Sequence, residues 1–314
     1  MVLGNYLDFP ARESSIGRKA LRINMETSES NKVGKESMTM NLPPKPLIFG
    51  ILNITSDSFF DGGKYLQEEE AIRKAIELKE EGADVIDIGA QSSNIKAEWV
   101  DPSEEWKRIE TVISELKRNG ISISVDTYKP LVMRKALESG VDFINNIRGY
   151  VDSESLSVLR EFCNLPTKHI IMYSHNHGNR AEEESHLTPE NVMPEILEFF
   201  EERVRTMKGV GVPEENLIFD PGMGFFLSSD FRVSFSVIRQ ISELRKRFPK
   251  LMVSVTRKSF LGNALGGLAV EERGVPTAVS ELYLWSKGVP MIRTHSPSDL
   301  IRAIDTWRFC SENS

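Results

Sequence analysis

With 314 residues, 40% of them hydrophobic, the chain is long enough to bury a sizeable core as one large domain or two small ones. No apolar run approaches the roughly 18 residues that span a bilayer. The net charge of −7, with no Lys/Arg block, argues against nucleic acid as a partner. A small anion held by a few local cations stays open.

Residues 1–45 are polar and mixed in charge, closing on Pro43-Pro44-Lys45-Pro46. They are expected as a weakly ordered or peripheral extension ahead of a single domain at 46–314. Residues 1–34 lack the apolar core of a secretory signal, and Asp8, Glu13, Glu26, Glu29 and Glu36 count against a transit peptide. Cys163 and Cys310 fit no metal or redox spacing, which suggests inert or buried thiols and a cytoplasmic, reducing compartment.

The domain opens on LIFGILNITSDSFFDGG at 47–63, an apolar run that ends in Asn53, Thr55, Ser56, Asp57 and a glycine turn. Such a buried strand builds polar groups at its own carboxyl end. A helix is predicted over 68–81, with Gly82 as its C-terminal cap, and a strand over 85–88. Further helices at 103–118 and 131–138 lead into strands at 121–127 and 143–146. EEGADVIDI is echoed by ESGVDFINN, a weak internal repeat of helix, glycine and strand. Strands follow at 169–175, 217–220, 251–256 and 291–295, with helices at 189–208 and 298–309. Eight nearly continuous apolar strands alternating with helices imply parallel strands buried on both faces. That pattern is an α/β fold, a (β/α)8 TIM barrel. An open doubly wound sheet is the alternative, and the glycine fingerprint of a dinucleotide site is missing.

A barrel of this kind carries its site at the strand carboxyl ends. In order these are Asn53 with Asp57, Asp87 with Gln91, Asp126, Asn145, His175, Asp220, Arg257 with Lys258, and Arg293 with His295. Any one of them reads equally well as a satisfied structural group; eight converging on one mouth do not. Asp126, Asn145, Asp220 and Lys258 offer acceptors and donors suited to a flat, nitrogen-rich heterocycle. Asn53, Arg293 and His295 suit an anion where the last strand meets the first. Lys258-Ser259 opens a helix whose free N–H groups favour a carboxylate or phosphate. Asn53 or Asp57 offers oxygen to a hard divalent cation such as Mg²⁺.

The segments GILNITSDSFFDGG, ADVIDIGAQSS, SVDTYKPLVMRKALESGVDFINN, LIFDPGMGF, TRKSFLG and IRTHS resemble the motifs of the dihydropteroate synthase family, in family order and spacing from 47 to 295. The resemblance implies a (β/α)8 barrel that joins 6-hydroxymethyl-7,8-dihydropterin pyrophosphate to 4-aminobenzoate and releases pyrophosphate with Mg²⁺. By position it implies that Asp126, Asn145, Asp220 and Lys258 hold the pterin. Asn53, Arg293 and His295 would take the pyrophosphate and its Mg²⁺, with Arg293 also over the pterin face, and Ser259 the carboxylate of 4-aminobenzoate. Asp126, Lys258 and Arg293 would be catalytic, Asn53 the metal ligand, and the chain a homodimer by family alone.

The chain departs from the family pattern at four places. Ser92-Ser93-Asn94-Ile95-Lys96 replaces a Ser-Thr-Arg-Pro-Gly loop, and Phe226-Leu227-Ser228 a Gly-Lys-Thr. His175-Asn176-His177-Gly178 stands for a His-Met-Arg-Gly-like segment, and Asn146 for an aspartate. These residues fit a divergent synthase with altered loops, expected to turn over 4-aminobenzoate weakly. They also fit a paralogue with another acceptor or no synthase activity, or a pterin-dependent methyltransferase. His175 and His177 are expected in a loop rather than as metal ligands, acids 182–184 as solvated, and Met172, Met223 and Met252 as core.

Overall fold

A computed structural model describes residues 42–54, 64–91, 99–178 and 184–311. Nearly all of the extension expected at 1–45 lies outside the described residues, as do Asp57 and the altered loop at 92–96.

The strands are β1 (Leu47–Asn53), β2 (Val85–Gly89), β3 (Ser122–Asp126), β4 (Phe143–Asn146), β5 (Lys168–Met172), β6 (Leu217–Asp220), β7 (Met252–Val253) and β8 (Met291–Thr294). The helices are α1 (Lys64–Glu80), α2 (Pro102–Arg118), α3 (Pro130–Glu138), α4 (Ser153–Phe162), α5 (Val192–Gly209), α6 (Phe231–Arg239), α7 (Ile241–Arg247), α8 (Ser259–Ala264), α9 (Gly274–Ser286) and α10 (Pro297–Ser311). All the strands pair in parallel, in the order β6-β5-β4-β3-β2-β1-β8-β7. A parallel bridge between Phe219 of β6 and Leu251, just ahead of β7, completes the ring. This is a (β/α)8 barrel.

Strand parity sorts most of the apolar strand residues between two of the three apolar clusters found among the described residues. Phe49, Val85, Ile170, Ile218, Met252 and Met291 form a buried cluster, with Phe143 edge-on to Phe49 at 5.0 Å. They plug the bottom of the barrel. Ile48, Leu52, Ile86, Ile88, Ile123 and Val125 alternate with the inward positions and pack with the helices in the larger core. Inward positions one step higher are polar: Asp87 pairs in register with Ser124, and Asp126 with Asn145. A period of two therefore gives the same strands a greasy floor and a charged mouth.

Four differences from the sequence expectation have clear causes. Helices α4, α6, α7 and α9 lie outside the expected set, three of them because they are short, yet Asp152 caps Ser155 N at 2.7 Å and Asp230 caps Arg232 N at 2.9 Å. Strand β5 stops at Met172, so His175 and His177 lie in a loop. Strand β7 spans two residues rather than six. Beyond it side chains take over the ladder: Ser254 Oγ donates to Arg293 O at 3.0 Å, and Thr256 Oγ1 accepts from His295 N at 3.4 Å. Cys310 is exposed rather than buried, because it sits in the last turn of α10, and Cys163 is half-buried; both are free thiols. Met172, Met223 and Met252 are buried. No helix among the described residues is long and apolar enough to cross a membrane.

Candidate active site

Arg293 organises the polar layer above the barrel floor. Its Nε lies 2.5 Å from Asp87 Oδ2, and its Nη2 lies 2.8 Å from Asp126 Oδ2. Asn145 Nδ2 donates to the same Asp87 oxygen at 3.4 Å. Asp87 and Asn145 are buried, and Asp87 Oδ1 and the single amide oxygen of Asn145 find no partner within the described residues. Unsatisfied buried acceptors are costly, which suits them to a ligand rich in N–H groups. Burial opposes the charge of Arg293, but Asp87 and Asp126 outweigh it and hold its pKa above the ordinary value.

Asp126 shows the opposite balance. Burial pushes its carboxyl up to about 7, Arg293 pulls it down, and the charges of Asp87, Glu105 and Asp220 raise it further. Asp220 is likewise raised, by burial first, with Lys258 opposing. Its Oδ1 accepts from Gly222 N at 2.8 Å. Burial lowers Lys258 to about 8 against the pull of Asp220. The Lys258 ammonium donates to Met223 O at 3.1 Å and lies 4.9 Å from the centre of the Phe226 ring. Burial is what lowers this lysine, while the carboxylates of Asp220 and Asp126 help keep its proton, so it is charged at neutral pH and loses the proton as pH rises through about 8.

The loop that carries Asp220 depends on a glycine. Gly222 has φ +68°, and a Cβ there would stand 2.3 Å from Tyr173 O. Only a residue without a side chain lets this loop run against the end of β5. A Cβ on Gly224 would lie 3.6 Å from Lys258 Cβ and 3.7 Å from Ser259 Oγ, so the same loop borders the start of α8.

At the opposite rim, Asn53 ends β1 and is exposed. Its Oδ1 and the Asp126 Cβ lie 3.9 Å and 3.5 Å from where a Cβ on Gly89 would be. His295 follows β8, with Nδ1 3.1 Å from Thr256 Oγ1. Burial, then the cations Arg293, Arg257 and Lys258, lower it to about 4. It is a neutral imidazole at physiological pH.

Thus Asp126, Asn145, Asp220, Lys258 and Arg293 are joined by direct bonds or mutual fields at one end of the barrel, with Asn53, Ser259 and His295 around them. Arg293, expected beside an anion and over the pterin face, is engaged here by two carboxylates. Asp87 received no role from the sequence, although a carboxylate inside the apolar run VIDIG is the signal for it. Gln91 is structural, its Oε1 accepting from Val100 N at 2.8 Å and Lys129 Nζ at 3.2 Å. Asn146 likewise serves a turn, accepting from Arg148 N at 2.9 Å. His177 stacks on Phe199 at 4.8 Å, and no group of three His, Cys, Asp or Glu among the described residues is placed to hold a metal.

Fold and mouth together define a barrel enzyme that holds a small polar heterocycle above its apolar floor. The chain matches the family described as pterin binding enzyme over residues 49–295. It is 44% identical to dihydropteroate synthase type-3 of Escherichia coli over 259 residues, covering 82% of this chain and 96% of that protein. Two solved structures share the fold. The dihydropteroate synthase of Xanthomonas albilineans with 4-aminobenzoic acid has TM-score 0.75 and 27% identity, over 86% of this chain and 94% of that one. That of Anaplasma phagocytophilum with bound 6-hydroxymethylpterin-monophosphate has TM-score 0.73 and 34% identity, over 84% and 98%. The chain belongs to the dihydropteroate synthase family of pterin-binding enzymes, transferases of folate biosynthesis.

Proposed function

We propose that the chain condenses 6-hydroxymethyl-7,8-dihydropterin pyrophosphate with 4-aminobenzoate, forming 7,8-dihydropteroate and pyrophosphate. The observation that carries this is the convergence of Asp126, Asn145, Asp220 and Lys258 above one apolar floor, with buried acceptor oxygens left for a ligand. The 44% identity to the type-3 synthase extends over 96% of that protein, which favours a synthase over a paralogue or a methyltransferase.

In this reading the carboxylates and Asn145 accept the N–H groups of the pterin, and Lys258 donates to its ring carbonyl or nitrogen. Asn53, His295 and Arg293 receive the diphosphate. Arg293, already shared by Asp87 and Asp126, also covers the pterin face. Ser259 at the start of α8 takes the carboxylate of 4-aminobenzoate. The C–O bond between the pterin methylene and diphosphate breaks, and the electron pair leaves with pyrophosphate. The aniline nitrogen then forms the C–N bond and loses a proton to solvent. Position and preorganised charge supply the rate, so no protein nucleophile is required.

Asn53 offers a single hard oxygen, which fits Mg²⁺ that arrives with phosphate oxygens rather than a resident ion. When bound, the ion neutralises charge on the leaving diphosphate.

The reaction belongs to the cytoplasm, consistent with two free thiols. A homodimer is expected, and α9 exposes Val275 and Val279 on one face, a surface apolar enough to be covered by a second copy. Light scattering at micromolar concentration decides it, a monomer refuting the pairing.

The decisive experiment is pyrophosphate release from the two substrates with Mg²⁺. Turnover should appear with the wild type and vanish with Asp220→Ala, which also loses pterin binding by calorimetry. A wild type that gives neither heat with the pterin nor pyrophosphate refutes the assignment.

A further inference from the structure

Behind Asp126 lies a second charged group that plays no part in holding substrate. Glu105 of α2 and Lys129 at the start of α3 form an ion pair, Nζ to Oε2 2.6 Å, with side chains 1% and 4% exposed. The other Glu105 oxygen accepts from Thr127 Oγ1 at 2.7 Å. Thr127 Oγ1 in turn accepts from Lys129 N at 3.2 Å, and Thr127 N donates to Asn145 O at 2.9 Å. The remaining Lys129 protons reach Gln91 Oε1 at 3.2 Å and Val100 O, while Trp99 presents its ring 5.1 Å away. The ammonium thus donates to two acceptors, on the segment after β2 and the segment before α2, and is ion-paired to the Glu105 carboxylate of α2.

Stability alone does not account for such a pair. Desolvating two charges costs as much as their attraction returns, and apolar replacements of similar volume are often neutral or stabilising. What they cannot reproduce is direction. A buried ion pair anchored by directed hydrogen bonds favours one arrangement of the segments it joins, and here one of those segments is the residue next to Asp126.

We propose that Glu105 and Lys129 are positioning residues for the transfer reaction: their buried pair holds Thr127, and through it fixes the Asp126 carboxylate and its neighbour Asn145 at the barrel mouth. The inference rests on the assignment of Asp126 to the pterin. Its structural half stands independently of any ligand.

The test uses the full-length chain carrying Glu105→Leu together with Lys129→Met, so that no charge is left buried alone. Arg134→Met with Glu161→Leu, which removes an exposed pair at 2.5 Å on α3 and α4, serves as the control. The first variant should lose about tenfold or more in kcat/KM for the pterin substrate, mainly through its KM. The KM for 4-aminobenzoate should stay within about threefold and the melting temperature within about 5 °C, as a positioning rather than a stabilising role requires. The control should match the wild type. An unchanged pterin KM, or an equal loss in the control, overturns the proposal.

Amide hydrogen exchange on the ligand-free chain supplies the arm that needs no activity. Protection of the Thr127 and Lys129 amides should fall about tenfold in the first variant while β1 and β8 stay protected. Unchanged protection at both amides overturns the proposal even where turnover falls. Missing turnover in the wild type overturns the substrate assignment alone.

Discussion

Asp87 Oδ2 stands 2.5 Å from Arg293 Nε across the inside of the barrel, joining β2 to β8, and the same guanidinium continues to Asp126 at 2.8 Å. The strands of the mouth are tied by this bridge before any substrate arrives. A guanidinium serves here because its planar fork meets two carboxylates at once, which an ammonium cannot do with fixed direction.

Replacing Asp87 with alanine leaves a guanidinium short of a partner in a place where it is only 16% exposed. Removing one member of a buried pair costs about 3–5 kcal/mol, and the low end applies because Asp126 remains. Urea unfolding of Asp87→Ala should show a loss of about 3 kcal/mol, with weaker pterin binding. An unchanged midpoint would show that the bridge carries no load.

Lys258, lowered by burial to about 8, is charged below that pH and neutral above it. If its charge grips the pterin, kcat/KM should be level near pH 7 and decline as pH rises through 8. In Lys258→Arg the guanidinium stays charged beyond pH ~12, so the alkaline decline should vanish even if the plateau drops. Phe226→Ala admits water to the ammonium, and the decline should then move to higher pH. A pH–rate profile unchanged in both variants would remove Lys258 from this role.

Asp126 gives stability a pH dependence of known sign. Its folded pKa, about 7, exceeds the ordinary aspartate value of about 3.9, so the folded chain holds the proton over that interval while the unfolded chain has lost it. The contribution is complete below the lower value and disappears as pH rises through the upper one. The groups that set it are Arg293 on β8, Asp87 on β2, Glu105 on α2 and Asp220 on β6. Asp126→Asn should therefore gain stability over wild type as pH climbs from about 4 to 7. Parallel stability curves for the two proteins would contradict the raised pKa.

Gly222→Ala should destabilise the loop that carries Asp220. The new methyl meets the Tyr173 carbonyl at 2.3 Å in a left-handed backbone, so the loop must shift. The expected cost is about 1–3 kcal/mol, with a pterin affinity that falls in step. Equal melting temperatures and affinities would mean the loop relaxes freely.

Much of the barrel could be read from local pattern. Apolar runs such as those at 85–88, 143–146 and 217–220 become strands at nearly the expected residues, because a strand buried on both faces must be apolar throughout. The short helices α4 and α6 carry buried apolar faces, Val158 with Leu159 and Val233 with Val237, and the caps Asp152 and Asp230 mark where they begin, so their signals were local but brief. The family motifs named the residues of the mouth, since each lies at the end of a strand whose apolar run announces it.

Partnership was another matter. Sequence alone determined which side chains reach the mouth, through the two-residue parity of each strand and the polar residue that ends it. Only the closed ring decided that Arg293 turns to Asp87 and Asp126, that His295 is neutral, and that Glu105 and Lys129 are sealed behind Thr127. Those properties depend on distances between residues as much as 206 positions apart in the chain, and on the water that folding removes from between them.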